Sequence, residues 1–143
     1  MTQMDTTVSQ FNIQNGDALT WNVEPLLHEI KHSLEKLIQT GKSSIIDLRS
    51  IPLAPGEEDK IFNALGCGEV KAQLDALGPS EIIETLYAGV WVVTHYNDEN
   101  EIIGRFIEIT NIPSILCSQN EDVSEAFDRL AETLQDNQKT NES

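Results

Sequence analysis

The chain has 143 residues, 39% of them hydrophobic, and sets 24 acids against 9 bases for a net charge of −15. That length supports one domain with a core of its own, without metal or disulfide staples. The charge argues against a nucleic-acid site, which needs a basic stripe, and no apolar run approaches the roughly 18 residues of a membrane span.

The opening MTQMDTTVSQFNIQNGD lacks the basic start and apolar block of a secretory signal, so a cytoplasmic location is expected. Residues 1–20 show no sustained period and read as a flexible N-terminal arm. Asn22 to Thr40 is the clearest helix. Leu26, Leu27, Ile30, Leu34, Leu37 and Ile38 form an apolar stripe, Asn22 is a candidate cap, and Gly41 is a natural stop. His28 and His32 are one turn apart, a metal-ligand spacing, but no third ligand lies nearby in sequence and both project away from the stripe.

Ser43–Leu48 reads as a short strand, followed by a proline-bearing loop, Ile51–Gly56. A short helix is expected over Glu57–Leu65, its three opening acids suited to the helix dipole. Gly66-Cys67-Gly68-Glu69 then turns the chain into a strand, Val70–Leu77. The turn lacks the Lys and Ser/Thr of a phosphate loop. Gly78-Pro79-Ser80 reads as a break before another strand, Glu81–Tyr87.

Ala88–Ile109 is the strongest fold signal, a hairpin closed by Asn97-Asp98-Glu99-Asn100. Val90, Val92 and Tyr96 alternate with Trp91, Val93 and His95. Ile103, Arg105, Ile107 and Ile109 alternate with Ile102, Phe106 and Glu108. Large apolar groups on both faces place this hairpin inside a sheet, with Trp91 in the core or, alternatively, an exposed aromatic anchor for a partner. Ser118 and Glu121 fit a capping box ahead of a last helix, Glu121–Gln135, with a disordered tail over 136–143. The whole predicts a single α+β domain over residues 21–135, a mostly antiparallel sheet of four or five strands with flanking helices.

No catalytic constellation is legible. Cys67 and Cys117 lie fifty positions apart without a CxxC, which suits ordinary small residues in a reducing compartment. Cys67 follows a helix C-terminus, where a thiolate is disfavoured, and no serine sits in a nucleophile elbow. Neither a cofactor nor a metal is expected. A site gathered from His28, His32, His95, Cys67 and Cys117 would require the fold to bring them together. The acidic C-terminal half, with thirteen acids against three bases over residues 78–143, instead favours a basic protein partner.

The segments LLHEIKHSLEKLIQTG, IIDLRSIPLAPGEEDKIFNALGCGEVKAQLDALGPSEIIETLYAGVWVVTHYN and IIGRFIEITNIPSIL cover residues 25 to 116. Their combination of an IDL before a proline loop, LG-x-GEV, GVW-x-V and IE-x-x-x-IP resembles the HupH/HyaF family of hydrogenase expression/formation proteins. The resemblance implies a cytoplasmic, non-enzymatic accessory protein or chaperone for maturation of nickel–iron hydrogenase. It further implies action on the iron–sulfur small subunit or binding of other hydrogenase assembly factors, and no established catalytic residue. Members of that family are longer, with this region as their C-terminal part. The alternative is an accessory that carries iron or handles a cluster through its Cys and His side chains. For a docking partner, the loops Ile51–Gly56 and Gly66–Glu69 flank one short helix and are held in defined shapes. Pro52, Pro55, Gly66, Gly68 and Glu69 are therefore the candidate partner-binding residues.

Overall fold

In the computed structural model the described residues are 22–76 and 78–142, so the expected N-terminal arm and Leu77 lie outside them. Helix α1 spans Val23–Thr40 and stops where the sequence says it should. Gly41 takes the left-handed conformation (φ 75°), and its N–H donates to the Leu37 carbonyl at 2.9 Å. Asn22 stands at the cap position, but its side chain does not cap. It donates instead to the Pro52 carbonyl at 2.9 Å and to the Glu57 carboxylate at 3.2 Å. A charge-assisted bond to the buried carboxylate thus orients the Asn22 amide through its N–H group, and the side chain makes no capping bond.

Strand β1 (Ser44–Asp47) runs into a 3-10 turn (Leu48–Ser50), and α2 (Glu57–Leu65) follows. Then come β2 (Lys71–Ala76), β3 (Gly78–Glu84), β4 (Val90–Tyr96) and β5 (Ile102–Ile109). A second 3-10 turn (Ser114–Leu116) leads to α3 (Asn120–Glu142). The strands form one antiparallel sheet in the order β1-β5-β4-β3-β2, so the fold is α+β as expected. The hairpin β4–β5 lies inside it. Because β1 and β2 are the two edges, α2 carries the chain from one side of the sheet to the other.

In antiparallel pairs, residues directly opposite each other share a face. Ile107 of β5 is opposite both Ile46 of β1 and Val92 of β4, and Ile109 is opposite Val90. Ile46, Val90, Ile107 and Ile109 form one core with Val23, Leu26 and Ile30 of α1 and Ile61 and Leu65 of α2. Arg105 shares that face and ties α2 to it. Its Nε donates to Thr94 Oγ1 at 3.1 Å, it pairs with Glu58, and its guanidinium lies 4.8 Å from the Phe62 ring centre. Trp91, Val93 and Ile82 are buried on the opposite face, outside that cluster.

Local readings shift at four places. Gly78-Pro79-Ser80 is no break but the start of β3, with Pro79 opposite Asp75. A proline near the first residue of a strand loses no essential ladder bond, and the positive φ of Gly78 (111°) lets the backbone pass close to the Tyr96 carbonyl. Strand β3 ends at Glu84 rather than Tyr87, because Thr85 N–H donates to the Val90 carbonyl and closes a turn. The register of β4 and β5 jumps from His95–Gly104 to Tyr96–Ile102, leaving Ile103 unmatched and 56% exposed. That bulge undoes the simple alternation expected of Ile102 and Ile103. Finally, α3 opens at Asn120, so Ser118 precedes the cap, and it continues to Glu142 through the expected tail. No Pro or Gly interrupts residues 135–142, and Lys139 suits the last turn.

By internal contacts the chain forms two compact units, dividing between Asn111 and Ile112. The first holds α1, α2 and the whole sheet. The second holds the 3-10 turn at Ser114–Leu116 and α3.

Glu57 is the polar knot of the first unit, with 1% of its surface exposed. The Ala54 N–H at 2.6 Å, above all, holds its carboxyl below the usual range, and Asn22 adds to this while burial opposes it. A carboxyl depressed in the folded state adds stability above its unfolded pKa, about 4.3, and that stability is lost as pH falls through the folded value. Thermal melts from neutral pH downward should therefore fall steeply below about pH 4. In Glu57→Gln the midpoint should be lower at neutral pH and flatter in acid. Glu108 works in the opposite sense, since burial raises its carboxyl and His95 only partly offsets this. An unchanged acid limb in Glu57→Gln would assign the acid transition to other carboxylates.

Candidate partner-binding cleft

The stripe on α1 is wider than the sheet covers. Leu27 and Leu34 are only partly buried at the edge of the core. They line, with Ile30 and Lys31, one wall of a cleft of about 300 Å³. Ala64 and Leu65, in the last turn of α2, form the second wall, and Tyr87 closes it. The lining is almost entirely carbon, with Lys31 the one charged contributor.

Tyr87 belongs to the tight turn Thr85–Gly89, which is pinned from several sides. The buried Thr85 hydroxyl accepts from the Tyr87 N–H at 3.1 Å, and Leu86 N–H donates to the Leu65 carbonyl at 3.0 Å. The turn therefore presents Leu86, 70% exposed, and Tyr87, 54% exposed, on a fixed backbone beside the cleft. Exposed apolar side chains held rigidly are what a docking surface needs, because little ordering entropy is lost on binding.

Three of the five sequence-derived candidates border this region. A Cβ on Gly66 would strike the Leu86 side chain, and one on Gly68 would strike the Thr85 carbonyl. The Gly68 N–H donates to the Glu84 carbonyl at 2.7 Å. The two glycines let the α2–β2 loop press against the turn, which gives LG-x-GEV a packing reason. Glu69 follows, exposed. Pro52 and Pro55 sit elsewhere, beside Asn22 and the start of α2. The two loops do not come together, because α2 spans the sheet between them, about 13 Å for its length.

The histidines and cysteines are scattered. His28 and His32 lie exposed on α1, each near a carboxylate of its own helix, Glu24 at 3.8 Å and Glu35 at 3.9 Å. His95 is on the far face of the sheet, its Nδ1 2.7 Å from Ser80 Oγ and its ring against Phe106. Cys67 is exposed in the α2–β2 loop, and Cys117 is exposed in the second unit. Among the described residues no three His, Cys, Asp or Glu side chains are grouped to hold a metal. Among them, too, no helix is long and apolar enough to cross a membrane.

Sequence reasoning missed Leu86 and Tyr87, which it placed in a strand. The available signal was Thr85, whose hydroxyl closes a local turn, followed by Gly89 with φ of 92°.

Residues 20–136 match the family described as HupH hydrogenase expression protein, C-terminal conserved region. The hydrogenase expression/formation protein HoxQ of Azotobacter vinelandii is 28% identical over 115 residues, which are 78% of this chain and 40% of that protein. The hydrogenase expression/formation protein HupH of Rhizobium leguminosarum bv. viciae is 29% identical over 109 residues, 76% of this chain and 39% of that one. The chain thus spans about 40% of the length of the curated relatives it matches. The solved structure of hydrogenase expression protein HupH from Thiobacillus denitrificans ATCC 25259 superposes with a TM-score of 0.78 at 37% identity, covering 80% of this chain and 96% of that one. With the matched segment spanning the sheet, the first two helices, most of α3 and the cleft, this chain belongs to the HupH hydrogenase expression protein family, in its C-terminal conserved region.

Proposed function

We propose that the chain is a non-enzymatic accessory protein of hydrogenase maturation, acting in the cytoplasm by holding the iron–sulfur small subunit of a nickel–iron hydrogenase. The observation that carries the reading is the carbon-lined cleft with Leu86 and Tyr87 fixed at its mouth. It offers volume for one or two large apolar side chains, and its lining is carbon apart from the Lys31 amine and the Tyr87 hydroxyl. The net charge of −15 selects a partner segment whose apolar anchor is flanked by basic residues, and Glu69 stands where such a base can pair.

Ala64→Trp tests this, because Ala64 is exposed on α2 and an indole there fills the cleft without entering the core. Binding of the purified hydrogenase small subunit should weaken by about tenfold or more, with the melting temperature unchanged. Glu69→Lys should slow association and remove much of its salt dependence. Wild-type affinity in Ala64→Trp would eliminate the cleft as the docking site. Wild-type affinity in Glu69→Lys at low salt would eliminate the loop.

A further inference from the structure

Helix α3, Asn120–Glu142, carries a second apolar surface, within the other unit. Val123, Phe127, Leu130 and Leu134 are spaced four, three and four residues apart, and they are between 54% and 72% exposed. That is the spacing of a two-helix seam, positions a and d of a heptad. The charged residues sharpen the assignment. Taking Val123 as d, every Asp, Glu, Lys and Arg from 120 to 142 falls at b, c or f, on the outer side of the helix. The positions beside the seam hold only small or neutral side chains, Ser124, Ala126, Ala131 and Thr133 among them.

This arrangement discriminates between occupants. A basic partner would be met by acids at the flanks, and there are none. An anionic lipid surface would face a helix whose outer side is mainly acidic, with Glu125, Asp128 and Glu132 in its middle. Another copy of the same helix meets no like charge at the seam, because both copies keep their charges outside.

We propose that α3 pairs with α3 of a second copy of this chain, antiparallel, about a two-fold axis between Asp128 and Arg129. In that register Phe127 faces Leu130 of the second copy and Val123 faces its Leu134. Asn120 then faces its Asn137, an amide pair closing each end of the apolar segment. Antiparallel packing also opposes the two helix dipoles favourably. The apolar segment is about two heptads, shorter than the three to four that sustain a stable coiled coil. The dimer is therefore reversible and concentration-dependent. Because each copy carries −15 overall, added salt strengthens it by screening the repulsion between the bodies. This inference is independent of the hydrogenase reading.

Sedimentation equilibrium on the full chain should show the mass rising with concentration from 15.9 kDa toward twice that value, more readily in high salt. Leu130→Asp should hold it at the monomer mass. A strictly monomeric wild type, or a folded Leu130→Asp variant that still dimerises, overturns the proposal. A second arm needs no disruptive substitution. Chains with Val123→Cys and chains with Leu134→Cys, both in a Cys67→Ser, Cys117→Ser background, are mixed and oxidised. Mixed disulfides between the two kinds are the expected product. Disulfides only between like chains, or none, overturn the antiparallel pairing.

Discussion

Replacing Trp91 by alanine should cost the protein about 3–5 kcal/mol, the range for deleting a buried aromatic ring. The ring is 5% exposed on the sheet face away from α1 and α2, in the interior strand β4. Its Nε1 donates to the Thr110 carbonyl at 3.1 Å, which ties β4 to the end of β5. Alanine leaves a cavity and removes the indole's hydrogen bond, two penalties of different origin. Trp91→Phe separates them, since most of the apolar volume stays and only the hydrogen bond goes, about 1 kcal/mol. Urea titration monitored by circular dichroism measures both. A midpoint in Trp91→Ala within error of wild type would take the ring out of the core and make it a candidate anchor for a partner.

Ile61→Ala should cost about 2–5 kcal/mol, from the centre of α2. This helix has nine residues, too few to persist alone in water. It is held by Ile61 and Leu65 in the core, by Glu57 at its start and by the Glu58–Arg105 pair. Ile61 is fully buried and lies between the polar anchors at one end and the cleft wall at the other. Its loss should therefore reach function as well as stability. Ala64 and Leu65 would lose their fixed position, and under the proposed function binding of the hydrogenase small subunit should weaken even where the variant remains folded. Unchanged stability would mean that α2 is held by its ends and not by its apolar face. A destabilised variant that binds as wild type would show that docking does not use the α2 wall of the cleft.

The two helix ends Gly41 and Leu65, and the β4–β5 hairpin, were legible in the sequence because each is a local property. Spacing at 3.6 or 2 residues, a left-handed glycine and a polar turn are all decided within a few neighbours. The α+β class followed from the order of those elements. The family was legible too, in motifs such as LG-x-GEV, where backbone approach admits no side chain at Gly66 or Gly68. The cleft was not. Its walls come from α1, the end of α2 and the turn at Tyr87, segments joined only when β3 and β4 are paired and α2 has crossed the sheet. Pro52 and Gly68 are similar in local character, yet only Gly68 packs against the turn beside the cleft, and tertiary pairing decides that. Asn22 makes the same point on a smaller scale. Its residue type marks a cap, but its amide N–H is oriented by a buried carboxylate thirty-five positions away, which only tertiary structure brings within reach.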